Sequence, residues 1–84
     1  MKKITVYTKT VCPYCDYAKG LLKSKNLPYT EINVETDYPG GKEALVAKTG
    51  WQTVPQVFFD EELIGGFTEL NALNQSGQLD SKLA

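Results

Sequence analysis

Lys3-Ile4-Thr5-Val6-Tyr7-Thr8-Lys9-Thr10-Val11-Cys12-Pro13-Tyr14-Cys15 holds the transition on which the fold turns. From Lys3 to Tyr7 apolar and polar residues alternate, the period-two pattern of a strand with one buried face. Thr8 to Val11 reads as a short loop. Pro13 fits the first position of a helix, where its missing N–H is no loss. Beyond it Tyr14, Tyr17, Ala18, Leu21 and Leu22 recur at helical spacing, and Asn26 with Pro28 ends the run. The stretch therefore predicts a strand that passes, through a loop, into a helix headed by a cysteine.

Working outward, Tyr29 to Val34 alternates again and predicts a second strand. Glu35 to Gly41 is a loop with turn chemistry at Tyr38-Pro39-Gly40-Gly41. Lys42 to Thr49 is a short helix carrying Ala44, Leu45 and Val46, with Gly50 as its stop. After Trp51-Gln52-Thr53-Val54-Pro55 comes the apolar run Val57-Phe58-Phe59, a turn at Asp60-Glu61-Glu62, and Leu63-Ile64 as hairpin partner. Gly65-Gly66 leads into a last helix, capped by Thr68 and carrying Leu70, Ala72 and Leu73. Gly77 stops it, and Gln78–Ala84 adds a turn with Leu79 and Leu83 packed down. The order is β-α-β-α-β-β-α. A crossover helix makes the first two strands parallel, and the tight turn after Phe59 makes an antiparallel pair. The expected architecture is α/β: a four-stranded mixed sheet flanked by three or more helices, in one domain spanning residues 1–84.

The composition, 42% apolar and 23% charged, is that of an ordinary folded domain. A chain of 84 residues has a core of marginal stability and often needs a staple. Its two cysteines are a poor one, since a bond between neighbours so close constrains the unfolded chain very little. Met1 to Lys9 lacks the apolar run of a signal peptide, and no segment approaches the roughly 18–20 apolar residues of a membrane span. The expectation is a chain held in the reducing cytoplasm, away from membranes, where a C-x-x-C points to redox chemistry or metal binding. Nine lysines against ten acidic residues leave a net charge of −1, with no general attraction to nucleic acid. The chain has no histidine, which removes Cys–His hydrolases, His-ligated metals and His-based acid–base catalysis.

A C-x-x-C ahead of a helix in a β-α-β setting reads as a thioredoxin-like redox motif. The orphan N–H groups and positive dipole end of the helix face the Cys12 sulfur and favour its anion. Cysteines so placed have pKa values of about 3.5–7.5, against about 8.5 when free. For a value of about 5, the thiolate fraction at neutral pH rises about thirtyfold, while intrinsic nucleophilicity falls by a similar factor. The gain then lies in Cys12 as a leaving group, which suits an exchange catalyst. Cys15 lies one turn deeper on the same helix face and can reach back to Cys12. Cys12 is therefore the candidate attacking thiol and Cys15 the resolving thiol. A zinc half-site lacks its remaining ligands, because zinc wants four and no other Cys or His is present. A soft-metal carrier using two thiolates alone stays open, with Pro13 against it, as do two inert buried cysteines.

Four segments stand in order along the chain: Tyr7-Thr8-Lys9, Cys12-Pro13-Tyr14-Cys15, Thr53-Val54-Pro55 and Ile64-Gly65-Gly66. Together they resemble the glutaredoxin family over nearly the whole length, and its dithiol members in particular. The resemblance implies a thioredoxin-like fold and glutathione as co-substrate, with no bound cofactor and no metal. It implies disulfide-containing or glutathionylated proteins as partners, among which ribonucleotide reductase is familiar for the family, and a monomer.

Thr53-Val54-Pro55 resembles the family's cis-proline loop. A cis X-Pro bond costs only about 0.5–1 kcal/mol, and would turn the Val54 N–H and C=O outward to pair with a peptide-like ligand. A trans proline opening an edge strand is the plain alternative. The resemblance places the γ-glutamyl end of glutathione at Gly66, Phe67 and Thr68, where free helix N–H groups suit a carboxylate. It turns Lys9, Lys42 and Gln52 toward the glycine carboxylate. Gln52 stands where Arg or Lys is common and brings no charge, so Lys9 and Lys42 carry the electrostatics. Tyr14 lies beside the sulfur and shapes the groove. Glu69 stands where the family often has Asp and is not counted as a contact, and Trp51 is an aromatic rim residue without an assigned role. Two further readings stay open. One is a dimer sharing an iron–sulfur cluster through Cys12 and glutathione, which Pro13 opposes by stiffening the helix start. The other is a thioredoxin reduced by a flavoprotein, which the Pro-Tyr pair and the short chain oppose.

Overall fold

Alternation along the first strand decides the centre of the structure. The computed structural model describes all 84 residues. In it β1 (Ile4–Thr8) buries Ile4, Val6 and Thr8 completely. The elements that follow are α1 (Pro13–Ser24), β2 (Thr30–Asn33), α2 (Gly41–Thr49), β3 (Gln56–Phe59), β4 (Glu62–Gly65), α3 (Phe67–Gln75) and α4 (Leu79–Leu83). The sheet order is β2-β1-β3-β4, with β1 parallel to β2 and β3 antiparallel to both β1 and β4. This is the thioredoxin-like arrangement expected from the sequence, with α4 as a fourth helix.

Ile4 and Val6 of β1 join Val57 and Phe59 of β3 on one sheet face. Ala18 and Leu22 of α1, Leu70 of α3, and Leu79 and Leu83 of α4 close over them. Burying each large side chain of this set contributes about 1.5–3 kcal/mol, the main favourable term in so small a chain. A second cluster, formed by Cys12, Cys15, Val34, Leu45 and Val54, lies at the end of the sheet where β1 and β2 finish. Register explains why it collects there. Thr8 pairs with Asn33, Tyr7 with Gln56, and Val57 with Gly65. The loops after β1, before β3 and after β4 therefore all leave from one end of the sheet.

Some expected boundaries move. β1 starts and ends one residue later, β2 is shorter, and β3 begins at Gln56 rather than Val57. Glu62 belongs to β4, so the hairpin turns at Asp60, whose positive φ of 53° tightens it. Thr68 does not cap the last helix. Gly66 occupies the cap position, and the Glu69 carboxylate accepts the Gly66 N–H at 2.9 Å, one half of a capping box. Thr68 is thereby the second helical residue, with its side chain exposed.

One polar group ties α1 to the strands. Glu31 Oε2 accepts the buried Thr8 hydroxyl at 2.8 Å and Lys19 Nζ at 3.1 Å. The Thr8 hydrogen bond, then Lys19, hold the Glu31 carboxyl below its ordinary value. A carboxyl lowered on folding adds stability above its unfolded value, near 4.5, and that stability is lost as pH falls through the folded value. Glu31→Gln should therefore lower the urea-measured stability at neutral pH by no more than about 1 kcal/mol, since the side chain is 38% exposed and screened. The gap to the parent should close as the pH drops below 4.5, and a gap of constant size across that range would show the charge to be irrelevant. A second expectation concerns the β4–α3 junction. Gly65 lies at φ +130°, and a Cβ there would stand 2.7 Å from Glu69 Cγ. Gly65→Ala should lower stability by about 2–3 kcal/mol in thermal or urea unfolding. Gly20→Ala, in open space on α1, should be neutral or raise it by up to about 1 kcal/mol.

Candidate active site

Cys12 caps α1 with its sulfur. Its backbone is extended (φ −155°, ψ 95°), Pro13 takes the first helical position, and Cys12 Sγ accepts the Cys15 N–H at 3.1 Å. Asp16 N–H bonds the Cys12 carbonyl at 3.1 Å and begins the helical ladder. The two cysteines are joined as a disulfide with Cα atoms 5.2 Å apart. Both cysteines are buried, Cys12 at 6% exposure and Cys15 at 1%, so Cys12 is the nearer of the two to the surface. The loop that delivers Cys12 is held from the β2 side. Val34 N–H bonds the Thr8 carbonyl at 2.8 Å, and Asn33 Nδ2 donates to Thr10 Oγ1 at 3.3 Å. Thr10 N–H donates to the Glu35 carboxylate at 3.0 Å. The Thr10 hydroxyl and then its N–H hold the Glu35 carboxyl below its ordinary value.

The Val54–Pro55 peptide is cis. The Val54 carbonyl oxygen stands 3.9 Å from Cys12 Sγ, and the Val54 N–H has no acceptor within the chain. A disulfide sulfur carries no proton, so this approach is a contact and not a hydrogen bond in the oxidised state. Across the groove, Gly66 caps α3, and the N–H groups of Phe67 and Thr68 have no intrahelical acceptor. The Phe67 ring lies 6.4 Å from Tyr14 and 5.7 Å from Tyr17, and the two tyrosine rings meet edge-on at 5.6 Å. Tyr14, 61% exposed, forms the outer wall beside Cys12.

The structure thus gathers Cys12, Cys15, Tyr14, Thr53, Val54, Pro55, Gly66, Phe67 and Thr68 at one end of the sheet. Lys9 is half-buried just past the end of β1, Lys42 is exposed in the first turn of α2, and neither forms an ion pair. Gln52 turns its amide onto its own loop, donating to the Gly50 carbonyl at 3.4 Å. Two residues escaped the sequence reading. Gln56 is fully buried, and its Nε2 donates to the Trp51 carbonyl at 2.9 Å. A glutamine between Pro55 and an apolar strand was the signal for it. Glu35, an acid just beyond a strand end, supplies the acceptor that orders Thr10. A cavity of about 470 Å³ lies elsewhere, lined by Tyr7, Leu45, Phe58 and Leu63 and by no cysteine. The Cys12 sulfur and the free Val54 N–H stand apart from it, at the sheet end.

Comparison with known proteins matches this geometry. A model of the Glutaredoxin family matches residues 4–64. Glutaredoxin 3 of Escherichia coli (strain K12) is 40% identical over 83 residues, covering 99% of each chain. Glutaredoxin 1 of Rickettsia typhi is 46% identical over 81 residues, 95% of this chain and 78% of the relative. Among solved structures, the buckwheat glutaredoxin–glutathione complex superposes with a TM-score of 0.86 at 31% identity, covering 98% of this chain and 76% of that one. The solution structure of glutaredoxin from Brucella melitensis gives 0.84 at 36% identity, covering 99% and 89%. With a cysteine pair at a helix start, beside a cis-proline loop and a Gly-Gly helix cap, the chain belongs to the glutaredoxin family, the glutathione-dependent thiol–disulfide oxidoreductases.

Proposed function

We propose that the chain reduces glutathione–protein mixed disulfides and protein disulfides, with Cys12 attacking and Cys15 resolving. The observation that carries this reading is the position of Cys12 Sγ: capped by the Cys15 N–H and lying against a Val54 peptide whose own N–H is free. An extended peptide thiol can pair with that N–H as an added strand and so bring its sulfur to Cys12. Glutathione is such a peptide, and the solved buckwheat relative is a complex with it.

The Cys12 thiolate attacks the glutathionyl sulfur of a mixed disulfide. A new sulfur–sulfur bond forms, the protein sulfur leaves as thiolate, and it takes a proton from water. A second glutathione thiolate attacks the glutathione sulfur on Cys12, releasing glutathione disulfide and regenerating the Cys12 thiolate. With a protein disulfide, Cys12 forms the mixed disulfide with the substrate. The Cys15 thiolate then attacks the Cys12 sulfur, giving the intramolecular disulfide and the substrate dithiol. Two glutathione molecules reduce that disulfide. In this reading Phe67 and Thr68, with Gly66, hold the γ-glutamyl carboxylate on the α3 N-terminus, and Thr53, Val54 and Pro55 hold the cysteinyl backbone. Lys9, Lys42 and Gln52 face the glycine carboxylate, with Gln52 first released from the Gly50 carbonyl. Tyr14 walls the groove. The reducing cytoplasm is the proposed site of action, with the chain acting as a monomer on glutathionylated or disulfide-bonded proteins such as ribonucleotide reductase. No helix is long and apolar enough to cross a membrane.

Cys12→Ser should abolish turnover with a glutathionylated peptide in a coupled assay with glutathione reductase. Cys15→Ser should keep that activity and lose dithiol-dependent reduction of a protein disulfide. Turnover of the glutathionylated peptide by Cys12→Ser would sink the assignment. Alkylation of Cys12 in the reduced protein should plateau well below pH 8.5, the ordinary thiol range.

A further inference from the structure

Trp51 is the chain's single tryptophan, and none of the roles above uses it. Its main chain is fastened on both sides. The Trp51 N–H donates to Thr49 Oγ1 at 3.2 Å, and its carbonyl accepts from Gln56 Nε2 at 2.9 Å. Gln56 is fully buried in β3, so this anchor belongs to the sheet and not to the loop. The half-buried indole is thereby carried to the α3 end of the groove. Its Nε1 lies 4.0 Å from the point where a Cβ would stand on Gly66, a point 3.4 Å from the Pro55 carbonyl. The indole nitrogen is a donor only, and it makes no hydrogen bond within the chain. The nitrogen is open to solvent, so it is free to donate to a bound group.

Gly66 caps α3, whose first N–H groups are free. The indole N–H is a further donor near this cap, next to Gly66. We infer that Trp51 is a specificity-determining residue that donates to the γ-glutamyl carboxylate and covers that end of the peptide with its ring. This rests on the reading of the groove as a glutathione site. It explains why a large aromatic ring sits on a loop clamped from the core, next to the α3 cap.

The chain's own tryptophan reports the result. Cys15→Ser protein is converted at Cys12 to the mixed disulfide with glutathione, and separately to that with cysteinylglycine, which lacks the γ-glutamyl group. Acrylamide quenching of the Trp51 emission should fall, relative to the reduced protein, with glutathione and not with cysteinylglycine. In steady state, Trp51→Phe should raise KM for a glutathionylated peptide about three- to tenfold at unchanged kcat, and leave the cysteinylglycine adduct unaffected. Equal effects on the two adducts, or none on either, overturn the assignment to Trp51. Failure of Cys12 to take up glutathione overturns the underlying reading and this one with it, whereas an adduct that forms with unaltered quenching overturns only the role of Trp51.

Discussion

A sulfur atom caps α1, and most of the site follows from that bond. At other helix starts a hydroxyl or carboxylate oxygen does this work. Here the Cys15 N–H points at Cys12 Sγ, which requires Cys12 to be extended and the helix to begin at the next residue. Pro13 supports both demands: it restricts its predecessor to extended backbone and gives up no helical hydrogen bond. The same geometry turns Cys15 inward, among Val34, Leu45 and Val54. A cap is only as well placed as the loop that carries it, so the bonds from Val34, Asn33 and Glu35 to Thr8 and Thr10 are part of the same device.

Sheet register brings the other walls to this point. β1 lies between β2 and β3, so the end of β1 is flanked by the start of β3 and, one strand further, by the end of β4. Because β3 runs opposite to β1, the residues preceding it arrive beside Cys12, and the Val54 carbonyl lies against the sulfur. β4 runs antiparallel to β3, so Gly65 and Gly66 emerge at the same level and open α3 there. A buried Gln56 then fastens the Trp51 loop to the strand it precedes. Three loops remote in sequence thus form one groove without any of them being long.

Much of this was legible in the sequence, and the reasons differ by residue. Alternation in Lys3–Tyr7 and the helical spacing from Tyr14 to Leu22 carry enough periodicity to set the strand and the helix. Pro13 marks the helix start to the residue, and the order of elements leaves few ways to build the sheet. The end of the chain was harder, because Gly66-Phe67-Thr68-Glu69 offers two capping schemes. Thr68 can cap with its own hydroxyl, or Glu69 can reach back to an earlier N–H. Glu69 wins because Gly65 frees the space its side chain fills. The link between Gln56 and Trp51 was hidden for another reason: their hydrogen bond joins a side chain to a backbone carbonyl five residues away across a bend. No periodicity records such a contact. The surface lysines were hard for the opposite reason, since long solvated side chains leave no packing signature.

The sulfur cap also accounts for exchange in both directions. In the disulfide, the Cys15 N–H faces a neutral sulfur at 3.1 Å. Once Cys12 is released as thiolate, the same donor faces a full charge, and charge-assisted hydrogen bonds are about twice as strong as neutral ones. The donor is already aimed before the charge arrives, so the anion is stabilised with little reorganisation. Cys15 has no matching arrangement and is packed among apolar side chains. The two sulfurs, one turn apart, therefore divide the work by environment. In the proposed mechanism Cys12 is the one that leaves readily, and any thiol attacking its mixed disulfide, whether from Cys15 or from solution, gains from that. A stronger and more basic nucleophile at this position would attack well and then hold its product, which is why the helix start favours an anion that lets go.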